Sequence, residues 1–146
     1  MSKIAFLFSG QGAQYLGMGK DLFENIDVCK EVFKQADNAL QFSISNVCFQ
    51  GPEKDLNRTE NTQPAILTTS IAALRALESF NIKADITAGL SLGEYSSLVY
   101  SGVISFQEAV VLVKKRGKYM QEAVPEGKGI MAAIMGLNYL DVEKIC

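Results

Sequence analysis

The sequence contains no histidine, the side chain most often used to take a proton near neutral pH. A self-contained Ser–His pair within these 146 residues is therefore excluded. Cysteine is scarce: Cys29, Cys48 and Cys146 are odd in number, widely spaced and form no Cys-x-x-Cys pair. That pattern argues against a disulfide framework or a zinc site and leaves reduced, partly buried thiols. Charge of neither sign is in large excess. A net charge of −2 argues against a broad nucleic-acid or anionic-membrane footprint, while leaving room for a small basic pocket. Long apolar runs are missing too, since Ile4–Phe8 and Ala109–Val113 fall far short of the roughly 20 residues a bilayer span needs. The opening Met-Ser-Lys-Ile-Ala-Phe has neither the apolar core nor the small-residue cleavage site of a secretory signal, so a mature cytosolic start is expected. There is no internal repeat and no low-complexity tract.

What is present suits one folded domain with a sizeable core: 48% of residues are apolar and 21% charged. Ile4–Phe8, ended by Ser9-Gly10, reads as a buried strand. After the glycine-rich "SGQGAQYLGMG", residues Leu22, Ile26, Cys29, Phe33, Ala36 and Leu40 fall three or four apart, a helical stripe. The polar stretch 51–62 reads as loop. A helix follows over "QPAILTTSIAALRALESF", with Pro64 near its first turn and Leu67, Ile71, Leu74 and Leu77 as its stripe. A short strand around Asp85–Ala88 leads to another helix from Glu94. Ser105 and Glu108 have capping-box spacing ahead of "AVVLVKKRGKYMQEAV". Strands alternating with helices predict an α/β class with a largely parallel sheet. The segment 125–129, Pro-Glu-Gly-Lys-Gly, marks the one boundary: residues 1–127 read as one unit and 128–146 as the start of a second, opening with a strand in "GIMAAIMGL".

Chemistry concentrates at Gly89-Leu90-Ser91-Leu92-Gly93. This Gly-x-Ser-x-Gly lies between a strand and a helix, where glycines two before and two after a serine relieve the clashes of a sharp turn. The following helix directs its first amides toward the serine, which favours developing negative charge. An ordinary turn with a chance pattern is the competing explanation. The earlier turn, Gly10-Gln11-Gly12, fits no phosphate loop: Tyr15 replaces the third glycine of a dinucleotide fingerprint, and Asp21 follows Lys20 where a P-loop has Ser or Thr. Its exposed amides could pair with that of Leu92 to hold an oxyanion. Arg116 lies roughly 60° from the centre of the stripe Phe106, Val110, Val113, Gly117, Met120 and Val124, with Lys115 opposite. Such an arginine either snorkels to water or binds an anion through its planar fork.

Four motifs in order, "FLFSGQGAQYLGMGKDL", "NRTENTQPAILTTS", "GLSLGEYSSL" and "KKRGKYMQEA", resemble the N-terminal half of the malonyl-CoA:acyl carrier protein transacylase family of acyltransferases. The resemblance implies a hydrolase-like α/β core with an inserted ferredoxin-like subdomain, whose first strand matches "GKGIMAAIMGL". It implies Ser91 as the acylated nucleophile and Gln11 with Leu92 as the oxyanion hole. It assigns Arg116 to the malonyl carboxylate and Gln63 to the lining of the site. Malonyl-CoA would be substrate, with no cofactor or metal, and acyl carrier protein the acceptor in fatty-acid synthesis. Leu90 stands where the family commonly has histidine, in a position expected to tolerate the change. The family's catalytic histidine falls beyond residue 146, so the isolated chain is expected to be inactive and to need the C-terminal half. Two other readings stand beside this one: a serine esterase or thioesterase-type hydrolase, and a non-catalytic fragment that binds a carrier protein.

Overall fold

The computed structural model describes residues 3–124, 128–129 and 134–145. Among them the chain is mostly helical around a two-stranded parallel sheet, β1 (Ala5–Phe8) and β2 (Ile86–Gly89). The register pairs Ala5 with Ile86 and Phe8 with Gly89. Between the strands run α1 (Lys20–Asn25), α2 (Asp27–Leu40), α3 (Ile44–Gln50), α4 (Glu53–Leu56) and α5 (Thr59–Ser79). After β2 come α6 (Gly93–Tyr100), α7 (Phe106–Ala123) and α8 (Tyr139–Ile145). This is the α/β class expected, with parallel strands joined by a helical crossover.

The core lies between α5 and its two main neighbours, α2 and α7. Cys29, Phe33 and Ala36 of α2, Leu67 and Ile71 of α5, and Ala109, Val110 and Val113 of α7 are fully buried. All but Ala109 belong to the predicted stripes, whose outermost members Leu77 and Val124 are instead exposed; each large apolar side chain so buried is worth roughly 1.5–3 kcal/mol. Phe23, Phe33 and Phe49 close one end, with ring centroids 5.0–5.8 Å apart. The capping box at Ser105 is formed: Glu108 N–H donates to Ser105 Oγ at 3.3 Å, and Ser105 N–H to Glu108 Oε2 at 3.2 Å.

Four expectations are corrected. The 22–40 stripe is interrupted at Ile26, whose extended backbone (φ −132°, ψ 111°) separates α1 from α2. The polar stretch 51–62 contains α4 and the start of α5. Its side chains satisfy main chain locally, Asn61 Nδ2 donating to the Asp55 carbonyl (2.9 Å) and Thr62 Oγ1 to that of Leu56 (2.6 Å). Because α5 begins at Thr59, Pro64 sits in the second turn rather than the first and brings no N–H to the Glu60 carbonyl. Within this chain the strand at 5–8 is covered on one face rather than both: Phe6 and Phe8 pack against the helices, while Leu7 is 79% exposed. The strand expected in 129–137 has its centre, 130–133, outside the described residues, and 134–138 are turn and coil. No helix among the described residues is long and apolar enough to cross a membrane.

Cys29 and Cys48 are free and completely buried, and Cys29 Sγ donates to the Ala72 carbonyl at 3.1 Å. Burial raises both thiols above their ordinary range, that of Cys48 to about 12 with the Asp37 charge adding to the effect. Thiolate is the reactive form, so neither should be alkylated by iodoacetamide at pH 8 in the native protein. Peptide mapping should find them modified only after denaturation, and modification within minutes under native conditions would contradict this packing.

Candidate active site

At the end of β2 the chain turns into α6 through Leu90, Ser91 and Leu92. Ser91 has φ 51°, a left-handed conformation that side chains other than glycine adopt only under constraint. The constraint is visible on both sides. A Cβ at Gly89 would overlap main-chain atoms of Gly93, and a Cβ at Gly93 would overlap the Phe8 carbonyl of β1. Leu90 N–H continues the ladder to the Phe8 carbonyl at 3.1 Å. The serine is thus held at a strand-to-helix elbow with its side chain exposed, as the spacing predicts. Thr87 Oγ1 and Ser97 Oγ, 2.5 Å apart, tie β2 to α6 behind it.

The Gln11 loop lies against the same turn. A Cβ at Gly10 would come within 2.6 Å of the Leu90 carbonyl oxygen, so only glycine permits this approach. Gly12 has φ 107° and donates its N–H to Gln14 Oε1 at 2.9 Å. Gln14 Nε2 in turn donates to Asn57 Oδ1 at 2.9 Å, and Gly17 N–H donates to the Cys48 carbonyl at 2.7 Å. The Gln11 side chain is exposed. Among the described residues, neither the Gln11 nor the Leu92 main-chain N–H donates to a protein acceptor.

Three of the predicted site residues are joined directly. Arg116 Nη1 donates to Gln63 Oε1 at 2.9 Å, and Arg116 Nη2 donates to Ser91 Oγ at 3.0 Å. Gln63 is fully buried, and its orientation follows from chemistry. A guanidinium has only donors, so it meets the amide oxygen, leaving Gln63 Nε2 to the Met120 thioether at 3.1 Å. The Arg116 guanidinium also lies 5.8 Å from the centroid of the Tyr95 ring, close enough for a cation–π attraction. No carboxylate among the described residues pairs with Arg116. Of the two possibilities that periodicity leaves open, snorkelling is therefore not what the side chain does: it turns in toward Ser91.

Sequence reading missed Tyr95 and placed Met120 only in the apolar stripe. Tyr95 stands one helical turn after Ser91, a spacing that could have marked it. Gly117 has a role beyond the stripe: a Cβ there would overlap the Thr59 carbonyl of α5. That contact brings α7 against the first turn of α5, and so Arg116 to Gln63. No group of three or more His, Cys, Asp or Glu among the described residues is placed to hold a metal ion.

A family profile described as "Acyl transferase domain" matches residues 5–143. A malonyl CoA-acyl carrier protein transacylase of Bacillus subtilis (strain 168) is 53% identical over 138 residues, covering 94% of this chain and 44% of the relative. The crystal structure of a malonyl CoA-acyl carrier protein transacylase from Clostridium perfringens superposes with a TM-score of 0.89 at 53% identity, covering 99% of this chain and 46% of that one. A malonyl-transacylase solved in complex with a type II PKS acyl-carrier protein superposes with a TM-score of 0.90 at 46% identity, covering 98% and 47%. The chain spans about half the length of the curated relatives it matches.

The elbow depends on main chain meeting main chain without an intervening methyl. Gly93→Ala should destabilise the protein by roughly 3 kcal/mol, the upper end of ordinary overpacking costs because backbone, not a rotatable side chain, is in the way. Urea unfolding would measure it, and a change below roughly 0.5 kcal/mol would mean the turn is not so constrained.

Proposed function

The chain belongs to the acyl transferase domain family, and from that premise we propose that it carries the nucleophile and the acyl-recognition half of a malonyl-CoA:acyl carrier protein transacylase. In the proposed reaction Ser91 Oγ attacks the thioester carbonyl of malonyl-CoA. The main-chain amides of Gln11 and Leu92 hold the tetrahedral oxyanion. The carbon–sulfur bond breaks, and coenzyme A leaves with the proton that Ser91 gave up. The phosphopantetheine thiol of acyl carrier protein then attacks the seryl ester and releases Ser91. Arg116 binds the free carboxylate of the malonyl group, steadied by Gln63 from one side and the Tyr95 ring from another. The base for Ser91 is assigned to the part of the family fold that this chain does not span, because the sequence offers no histidine.

The observation that carries this reading is the position of Arg116. Its guanidinium is 3.0 Å from Ser91 Oγ and has no acidic partner among the described residues. A cationic fork beside a nucleophile suits an acyl group with a carboxylate at its far end. A simple esterase acting on neutral acyl groups would leave that fork without a task. The same reading assigns 1–127 to a hydrolase-like core and 128–146, which includes α8, to the start of a ferredoxin-like subdomain. It places the enzyme in the cytoplasm.

Incubation of the full-length protein with radiolabelled malonyl-CoA should label Ser91 and leave Ser91→Ala unlabelled. Arg116→Ala should lower malonyl transfer relative to acetyl transfer by roughly 30-fold, the effect of losing about 2 kcal/mol from a partly exposed charge-assisted pair. An unchanged malonyl-to-acetyl ratio would remove Arg116 from acyl recognition.

A further inference from the structure

We propose that Gln14 is a positioning residue for acyl transfer: its carboxamide holds the Gln11 amide in the attitude that an oxyanion requires. The inference rests on the oxyanion role proposed for Gln11 and extends it to a residue outside the reacting shell.

Among the described residues, residue 11 is held through its neighbours. On one side Gly10 packs against the Leu90 carbonyl, which ties the loop to the serine turn. On the other side Gly12, with φ 107°, gives its N–H to Gln14 Oε1 at 2.9 Å. That bond orients the peptide between residues 11 and 12 and also takes the Gly12 donor out of use. Among the described residues the Gln11 N–H remains without a protein acceptor. A two-residue side-chain bond would swing with its own loop if nothing anchored it. Gln14 is anchored, because Nε2 donates to Asn57 Oδ1 at 2.9 Å.

Asn57 follows α4 directly and precedes α5 by two residues, and α5 carries Gln63. The Gly12–Gln14–Asn57 relay therefore references the Gln11 amide to the same helix that orients Arg116. Two further contacts hold the far end of the loop on α3 and its exit: Gly17 N–H on the Cys48 carbonyl, and Leu16 against Gly51. Between Gly10 and Gly17, Gln14 makes the one hydrogen bond from this loop to a distant segment among the described residues. Fixed donors stabilise an oxyanion because they need no reorganisation when charge develops. A loosened loop would lose rate and leave substrate binding alone.

The full-length protein should be compared with Gln14→Leu, Gln14→Glu and Gln11→Pro, reading single-turnover acylation by malonyl-CoA, KM and thermal stability. Gln14→Leu should slow acylation by roughly ten- to a hundred-fold, with KM for malonyl-CoA within about twofold and the melting temperature nearly unchanged. Gln14→Glu should restore most of the rate, since a carboxylate oxygen still accepts from Gly12 and Asn57 can turn its amide to donate. Unchanged acylation in Gln14→Leu would overturn the proposal. So would a loss that tracks a lowered melting temperature and is not rescued by glutamate. Gln11→Pro removes the donor itself. If that variant acylates normally, the oxyanion reading falls; if it is slow while Gln14→Leu is not, only the positioning role falls.

Discussion

Everything at the candidate site depends on a place where two strands and a helix touch through bare main chain. Gly89 and Gly93 abut each other, and Gly93 also abuts the Phe8 carbonyl of β1. A methyl group at either position would separate them. The contact fixes the angle at which β2 becomes α6, and Ser91 takes up the resulting backbone conformation. The rest of the arrangement is built around that hydroxyl. The Gln11 loop leaves β1 on one side of it, and α5 and α7 bring Gln63 and Arg116 to the other.

This contact was the most legible part of the site. Gly-x-Ser-x-Gly after a short apolar run and before a helix carries its own explanation, because the steric need is local. The capping box at Ser105 and the buried faces of α2, α5 and α7 were legible for the same reason. Arg116 was only half legible. Its angle to the stripe places it beside the buried face without saying what it meets there. The answer depends on the crossing of α7 with α5, which no spacing within either helix encodes. Tyr95 escaped notice because a cation–π partner is defined by a residue on another element.

The misread segments have different causes. Residues 51–62 look like loop by composition, yet Asn61 and Thr62 return their side chains to the main chain at Asp55 and Leu56. Polar side chains satisfied this way can be buried in a helix. Ile4–Phe8 looks like a strand covered on both faces, yet Leu7 lies open and β1 pairs only with β2 among the described residues. Apolar composition reports what a strand can bury, whereas the neighbours decide what it does bury.

In the proposed reaction Gly117 bears on selectivity in a way its size conceals. With no side chain of its own, it lets α7 rest on the opening turn of α5, where Pro64 withholds a donor from the Glu60 carbonyl. Arg116 is the adjacent residue, so the reach of its flexible arm is used up by the bond to Gln63 rather than by searching. In the proposed reaction, discrimination between acyl groups would thereby be set by the separation of two rods, and a shift of that axle would retune the lock without altering any residue that meets the key.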